Sequence, residues 1–290
     1  MTGANLTTKE VARLLRVSEA TVKRWADDGA LPAEKTVGGH RRFSVQAIAQ
    51  IRRDRGIGAG SNRLDRGSTG KEVTTKAALS SATFLDIILL GDELEASAVL
   101  IDGYLHQHTL AWLFDSTIGE ALHELGKLWF AGVVTIADEH RATRVLLNGL
   151  QKLRAIIVPT DSTGMKAICC GIEGDLHEVP VHLAEVILES EGWEVINLGP
   201  NTPLFTLREF VIGQRPQLVC IAARSLADVD RAAAEYIQLR KVTTRIGAAV
   251  VFGGECFSDE ILRNRFPAEL HASDYKSFVK FVQELATKKS

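Results

Sequence analysis

The sequence predicts a multidomain chain with three folded parts: a helix-turn-helix head, an all-α four-helix bundle and an α/β domain on a parallel sheet. Three observations predict it. A capped pair of short amphipathic segments opens the chain, and a long stretch of helical periodicity follows. The last part then alternates apolar strand-like runs with helical ones. At 290 residues the chain is long for one domain and comfortable for two or three.

Composition narrows the function classes. With 46% hydrophobic and 24% charged residues the chain reads as an ordinary globular protein. No apolar run approaches the ~20 residues needed to span a bilayer, and no basic-then-apolar signal opens the sequence. A cytoplasmic protein without membrane contact is expected. Cys169, Cys170, Cys220 and Cys256 lack C-x-x-C spacing and lie in or beside apolar runs, as reduced core thiols would. Residues 1–55 hold eleven Lys/Arg against six Asp/Glu, a balance of +5 that leaves −7 for the rest of a chain of net charge −2. A basic head on an acidic body points to nucleic acid at the front.

Within that head, 1–55, Thr7 and Glu10 form a capping-box signature, and Val11, Leu14 and Leu15 follow at helical spacing. Arg16-Val17-Ser18 breaks the helix, and Ser18 caps a second one over 19–28 that ends at Gly29. Two short helices around such a turn make a helix-turn-helix, whose second helix enters the major groove. Thr21, Lys23 and Arg24 are expected on its exposed face, with Val22 and Trp25 packing inward. Residues 36–44 read as a glycine-tipped hairpin that carries His40, with Arg41 and Arg42 at its base placed for phosphates. The alternative is a small three-helix packing module without DNA. Including Gly38-Gly39-His40-Arg41-Arg42-Phe43, this stretch resembles the MerR-type winged helix-turn-helix. That resemblance implies binding to double-stranded DNA as an oligomer on paired half-sites.

Residues 56–75 form an expected flexible linker, because 56–70 holds five glycines and no aromatic. From 76 to 155 the apolar period turns helical, with candidate helices at 76–90, 92–106, 109–130 and 135–153. Short connections between four helices make an antiparallel bundle. Trp129 near the end of the third and Glu139-His140 at the start of the fourth flank one corner. Read alone, the Trp is core or interface and the Glu-His pair a solvated first turn.

In the tail, 156–290, strand-like runs at 167–172, 194–198, 218–223 and 248–252 alternate with helical runs at 181–191, 204–213 and 227–240, and a helix over 275–287 closes the chain. Near-continuous apolar strands argue for a parallel sheet covered on both faces. Ligands of such sheets sit at the carboxyl ends of strands, where this chain places Asp175-x-His177, Arg224-Ser225 and Gly253-Gly254. Asp175 stands close enough to His177 to orient its imidazole towards a metal. The paired glycines let a backbone approach a flat ligand. No G-x-G-x-x-G follows the first strand, so a dinucleotide site is disfavoured.

Asp175-x-His177, the loop 197–203 and Gly253-Gly254 look like the Rossmann-like (flavodoxin-like) cobalamin-binding domain. Trp129, nine intervening residues and Glu139-His140 match the Trp-x9-Glu-His signature of CarH/LitR-type photoreceptor transcriptional regulators. The order of head, bundle and Rossmann-like domain is theirs too. The resemblance implies His177 as lower cobalt ligand, Trp129 against the adenosyl group of adenosylcobalamin and Glu139 hydrogen-bonded to it. It implies His140 as the upper cobalt ligand after photolysis, and Ser225, Gly253 and Gly254 at the cofactor. In those proteins adenosylcobalamin favours a DNA-bound oligomer, which light releases. Here that means a non-enzymatic, light-responsive repressor, dimeric or tetrameric according to state.

Two residues depart from the family pattern. Pro180 stands where its Asp-x-His-x-x-Gly has Gly, and Ala222 stands at the Ser position of its Ser-x-Leu motif, with Arg224 and Ser225 downstream. An Arg at a strand end is a natural carboxylate or phosphate clamp, or a surface ion-pair partner. A second chromophore with propionates, such as a bilin, is one consequence. A corrinoid-carrying protein of a methyl-transfer system is an alternative from another class.

Overall fold

The computed structural model describes residues 5–15, 17–36, 38–44, 47–48, 51, 80–106 and 108–289. The expected linker 56–75 lies outside these. Two compact units result, residues 1–157 and 158–290.

In the first unit, β1 (Asn5–Thr7) leads into α1 (Thr8–Leu14), then α2 (Glu19–Asp27), β2 (Glu34–Lys35) and β3 (Arg41–Ser44). The Ser18 hydroxyl accepts the Thr21 N–H at 3.1 Å and so starts α2. Gly29 (φ 72°) turns the chain after α2, and Gly39 (φ 77°) turns it between β2 and β3. The strands pair antiparallel in the order β1-β3-β2, so the hairpin gains a third strand from the chain's start. Val11, Leu15, Val22, Trp25, Leu31 and Phe43 are buried.

The same unit continues with α3 (Ser81–Leu90), α4 (Glu93–Leu105), α5 (Leu110–Trp112), a π-helical segment Leu113–Gly119, α6 (Glu120–Phe130) and α7 (Ile136–Arg154). Side chains of Ser80, Asp92, Thr109 and Thr135 cap α3, α4, α5 and α7, the last through a capping box with Asp138. On α7, Gly149 admits α4 closely: an added Cβ would lie 3.5 Å from the Ser97 backbone nitrogen. The helix expected over 109–130 is three segments, α then π then α. A Cβ at Gly119 would meet the Phe114 carbonyl oxygen at 3.0 Å, and the missing side chain gives the wider π turn its room.

In the second unit, β4 (Lys166–Gly171), α8 (Val179–Ser190), β5 (Glu194–Asn197), α9 (Leu204–Gln214), β6 (Leu218–Ala222), α10 (Val229–Ile246) and β7 (Ala249–Gly253) alternate. A 3₁₀ turn at Glu255–Ser258, α11 (Glu260–Arg265), β8 (Leu270–Ala272) and α12 (Tyr275–Lys289) complete it. All strands are parallel in the order β5-β4-β6-β7-β8, the doubly wound flavodoxin-like order. The strands β4, β6 and β7 are almost wholly buried, as the continuous apolar runs require. Tyr236, Phe252, Phe257 and Phe266 pack edge and tilt against one another beside them. Pro180 sits in the first turn of α8, where its absent N–H takes nothing from the helix. Among the described residues no helix is long and apolar enough to cross a membrane.

Glu269 ties β7 to α10: it accepts two bonds from Arg240, at 2.9 and 2.5 Å, and the Val250 N–H at 2.7 Å. Burial works to raise its pKa, but these bonds together hold it below the usual carboxylate value. The resulting stability is present above about pH 4.3, the unfolded value, and is lost as pH falls through the lower folded value. Glu269→Gln is expected to lose about 1–3 kcal/mol at pH 7 and to show a flatter acid limb in thermal melts between pH 7 and pH 3. Parallel acid limbs for the two proteins would refute that assignment.

Candidate functional site

Parallel doubly wound sheets bind ligands where the chain leaves the sheet in opposite directions from neighbouring strands. In this order that place lies between β4 and β6. Their ends run in register with β7: Gly171 pairs with Ala222 and Ala222 with Gly253, which makes a row of small residues at the carboxyl edge.

Asp175, in the loop after β4, is buried to 3% exposure. Its Oδ1 accepts the His177 N–H at 3.0 Å and faces His177 Nδ1 at 2.6 Å. Its Oδ2 accepts the Arg224 backbone N–H at 2.5 Å. Its own carbonyl accepts the Asn201 N–H at 2.9 Å, while the Asn201 side chain accepts the Gly174 N–H at 2.8 Å. The carboxylate thus ties the loop after β4 to that after β6, and the Asp175 carbonyl adds the loop after β5. Burial pushes its pKa up, but the bonds from His177 and Arg224 outweigh this and hold it below the usual value, ionised. An ionised carboxylate can only accept, so His177 Nδ1 is the donor, and in the neutral imidazole Nε2 carries the lone pair. The His177 side chain is 49% exposed. The site therefore presents one oriented imidazole nitrogen at the switch point.

A second polar string stands beside it. Buried Glu185 on α8 meets His182 Nδ1 at 3.1 Å and accepts from Asn197 Nδ2 at 2.7 Å, and Asn197 Oδ1 accepts the Gly199 N–H at 2.8 Å. It braces the loop after β5. Composition and spacing gave no warning of it, since Glu185 reads as one more polar residue of an amphipathic helix. Cys169 and Cys220 are register partners on β4 and β6. Their mutual hydrogen bond and burial keep the Cys169 thiol protonated well above its ordinary range. The four cysteines are free thiols, three of them buried, as expected of core thiols.

The two glycines at the end of β7, Gly253 within it and Gly254 just past it, differ. Gly254 has φ 107°, and an added Cβ would lie 2.3 Å from the Ala223 carbonyl oxygen. At Gly253 a Cβ would meet nothing within 4 Å. Ser225 is exposed next to Arg224.

In the first unit, Trp129 in the last turn of α6 and Glu139 and His140 in the first turn of α7 stand on either side of the connection 131–135. Trp129 is 47% exposed, and Phe130, Val133 and Ile136 beside it are more exposed still. Glu139 accepts the Thr143 hydroxyl at 2.9 Å, and its other oxygen lies 3.6 Å from His140 Nε2. His140 projects freely, with its side chain 74% exposed.

In the head, Lys23 and Arg24 are exposed on α2, and His40 is exposed at the hairpin tip. Thr21 is half-buried, with its hydroxyl 2.9 Å from that of Ser18, so it serves the cap. Arg41 pairs with Asp27 of α2, which clamps the hairpin to the helix, and Arg42 donates to the Arg41 carbonyl.

The family model described as a helix-turn-helix domain matches residues 6–55. In structure the chain is similar to a monomethylamine corrinoid protein of Methanosarcina barkeri, with a TM-score of 0.61 and 13% identity over 73% of this chain and 100% of that one. At that identity the likeness is one of fold. Further matches are a cobalamin-binding protein of Desulfitobacterium hafniense DCB-2 (20% identity, 70% of this chain and 97% of that one, TM-score 0.38) and a methanol:cobalamin methyltransferase complex of Methanosarcina barkeri (14%, 84% and 93%, 0.37). Their low scores carry no weight here. The chain begins with a helix-turn-helix domain, carries a parallel-sheet α/β domain, and over 73% of its length shares the fold of that corrinoid protein.

Asp175→Asn replaces an acceptor oxygen by a donor and leaves one of three N–H groups unpaired, an expected loss of about 1–3 kcal/mol. Nitrogen NMR of His177 should show the Nδ1-protonated tautomer in the parent and a mixture in the variant. An Nε2-protonated parent would contradict the geometry.

Proposed function

We propose that the chain is a cobalamin-dependent, light-responsive transcriptional regulator, a repressor whose DNA binding is set by cofactor-dependent oligomerisation. The observation that carries this is the Nε2 of His177, held outward by a buried carboxylate at the switch point, in a chain that begins with a helix-turn-helix. A lone imidazole nitrogen suits a metal that brings its other ligands with it, as cobalt does in a corrin. The open space at Gly253 suits a flat macrocycle lying close to the backbone. The donor set therefore fits.

His177 is assigned as the lower cobalt ligand and Asp175 as the residue that orients it. When bound, adenosylcobalamin supplies a cobalt–carbon bond that light can break. Trp129 offers an exposed aromatic face to the adenosyl group, Glu139 a carboxylate to hydrogen-bond it, and His140 an unburied imidazole as the later upper ligand. A change of cofactor shifts an assembly only through contacts that differ between its states. No catalytic role is assigned, and a cytoplasmic location suits a regulator. A corrinoid carrier for methyl transfer is the second reading, favoured by the fold likeness alone; binding of a duplex in a mobility-shift assay would argue against it.

Reconstitution with adenosylcobalamin in the dark is expected to give a bound corrin spectrum that green light changes irreversibly, with a shift in assembly size on gel filtration. His177→Ala should weaken retention by at least about tenfold, whereas His140→Ala should bind normally and destabilise the photoproduct. Unaltered spectra in both variants would remove the assignments, and a light-insensitive corrin would leave a cobalamin sensor.

On the DNA side, Lys23→Ala, Arg24→Ala and Arg42→Ala should each reduce the slope of log affinity against log salt by about one. Asp27→Ala releases Arg41 and should steepen that slope by about one, measured by fluorescence anisotropy. A flatter slope for Asp27→Ala would mean that the ion pair holds the wing in its binding position.

A further inference from the structure

Arg224 has a fixed backbone and an uncommitted side chain. Its N–H is held by Asp175 Oδ2 at 2.5 Å. Its guanidinium Nε lies 3.7 Å from Glu255, the first residue after Gly253-Gly254, and both side chains are largely in solvent, 48% and 69% exposed. An exposed pair at that distance contributes little. The neighbouring cation at this sheet edge, Arg231, is by contrast taken by Glu173 at 2.5 Å. Arg224 therefore places an available fork of donors in the loop after β6, the strand that lies between β7, which ends at Gly253, and β4, whose following loop carries His177. The amide side chains of a cobalamin are neutral, and its nucleotide tail carries one phosphodiester. A bilin carries two propionates. Both offer an oxyanion that a guanidinium binds through two parallel bonds.

We propose that Arg224, with the adjacent Ser225 hydroxyl, is the specificity residue of this site and selects a tetrapyrrole that bears an oxyanion, foremost the phosphodiester of a cobalamin tail. The inference rests on the cobalamin reading above. It explains why a cation stands here beside a sheet edge otherwise lined by Gly171, Ala222 and Gly253.

The test is equilibrium binding, followed by absorption, of the full chain and of Arg224→Ala and Arg224→Lys with cobalamin, with cobinamide (which lacks phosphate and nucleotide) and with biliverdin. Arg224→Ala keeps the backbone N–H to Asp175 and removes only an exposed side chain, and a thermal melt checks its fold. The parent should prefer cobalamin over cobinamide. Arg224→Ala should lose about tenfold for cobalamin and less than about twofold for cobinamide, with Arg224→Lys between. Biliverdin binding that falls about tenfold in Arg224→Ala would support the same residue with propionates as the source. Equal losses for cobalamin and cobinamide, or none, would overturn the proposal while leaving the corrin reading intact. A parent chain that binds none of the three overturns both.

Discussion

The α/β domain depends on one buried carboxylate. Asp175 is the point at which three loops from neighbouring strands are fastened, through the N–H groups of His177, Asn201 and Arg224 and the imidazole of His177. Taking a charge out of water is expensive, and it is tolerated only where donors surround it. Here both oxygens are occupied and the residue stays ionised despite burial. The same bonds that make the charge tolerable fix the imidazole's tautomer and direction. Stability of the loops and readiness of the nitrogen are therefore one property. A sheet edge without that anchor would carry the same residues in mobile loops.

The anchor also limits what each neighbour can do. Arg224 gives its backbone to the carboxylate and keeps its side chain available, whereas Arg231 spends its guanidinium on Glu173. In the head, Arg41 spends its charge on Asp27, while Lys23 and Arg24 remain exposed. Net charge alone makes all of these cations equivalent. Their partners separate the ones that shape the protein from the ones left to meet a ligand or a phosphate.

Much of the fold was legible because it is written in local chemistry. Ser18 as a cap, Gly29 as a stop, the helical period expected over 76–155, of which 76–79 lie outside the described residues, and the apolar runs of β4, β6 and β7 each act over a few residues, and each holds where the structure describes it. The π segment was not legible, because it turns on the approach of Gly119 to a carbonyl five residues earlier, within a pattern that reads as uninterrupted helix. Nor was β8, whose three residues follow α11 with little periodicity to announce them. At the site, Asp175 and His177 were visible as a spacing. The second carboxylate oxygen was not, since its partner is a backbone N–H forty-nine positions away and any residue type at 224 could donate it. Thr21 and Arg41 fall on the right elements for DNA but are drawn partly to Ser18 and Asp27, contacts that spacing does not rank.

Gly253 and Gly254 make the same distinction within one dipeptide. As sequence they are a single signal of backbone freedom. In the structure Gly254 is required by the protein itself, through a positive φ and a carbonyl that leaves no room for a Cβ. Gly253 has neither reason: its φ is ordinary for any residue, and a side chain there would enter open space. A glycine in a strand weakens packing and ordering, and no crowding by a neighbour calls for it here. What the missing side chain preserves is clearance, at the end of β7 and two strands from β4, whose following loop carries His177. In the proposed reading the open face at Gly253 and the nitrogen at His177 serve one occupant by independent physics, one through the space left for it and the other through the bond offered to it.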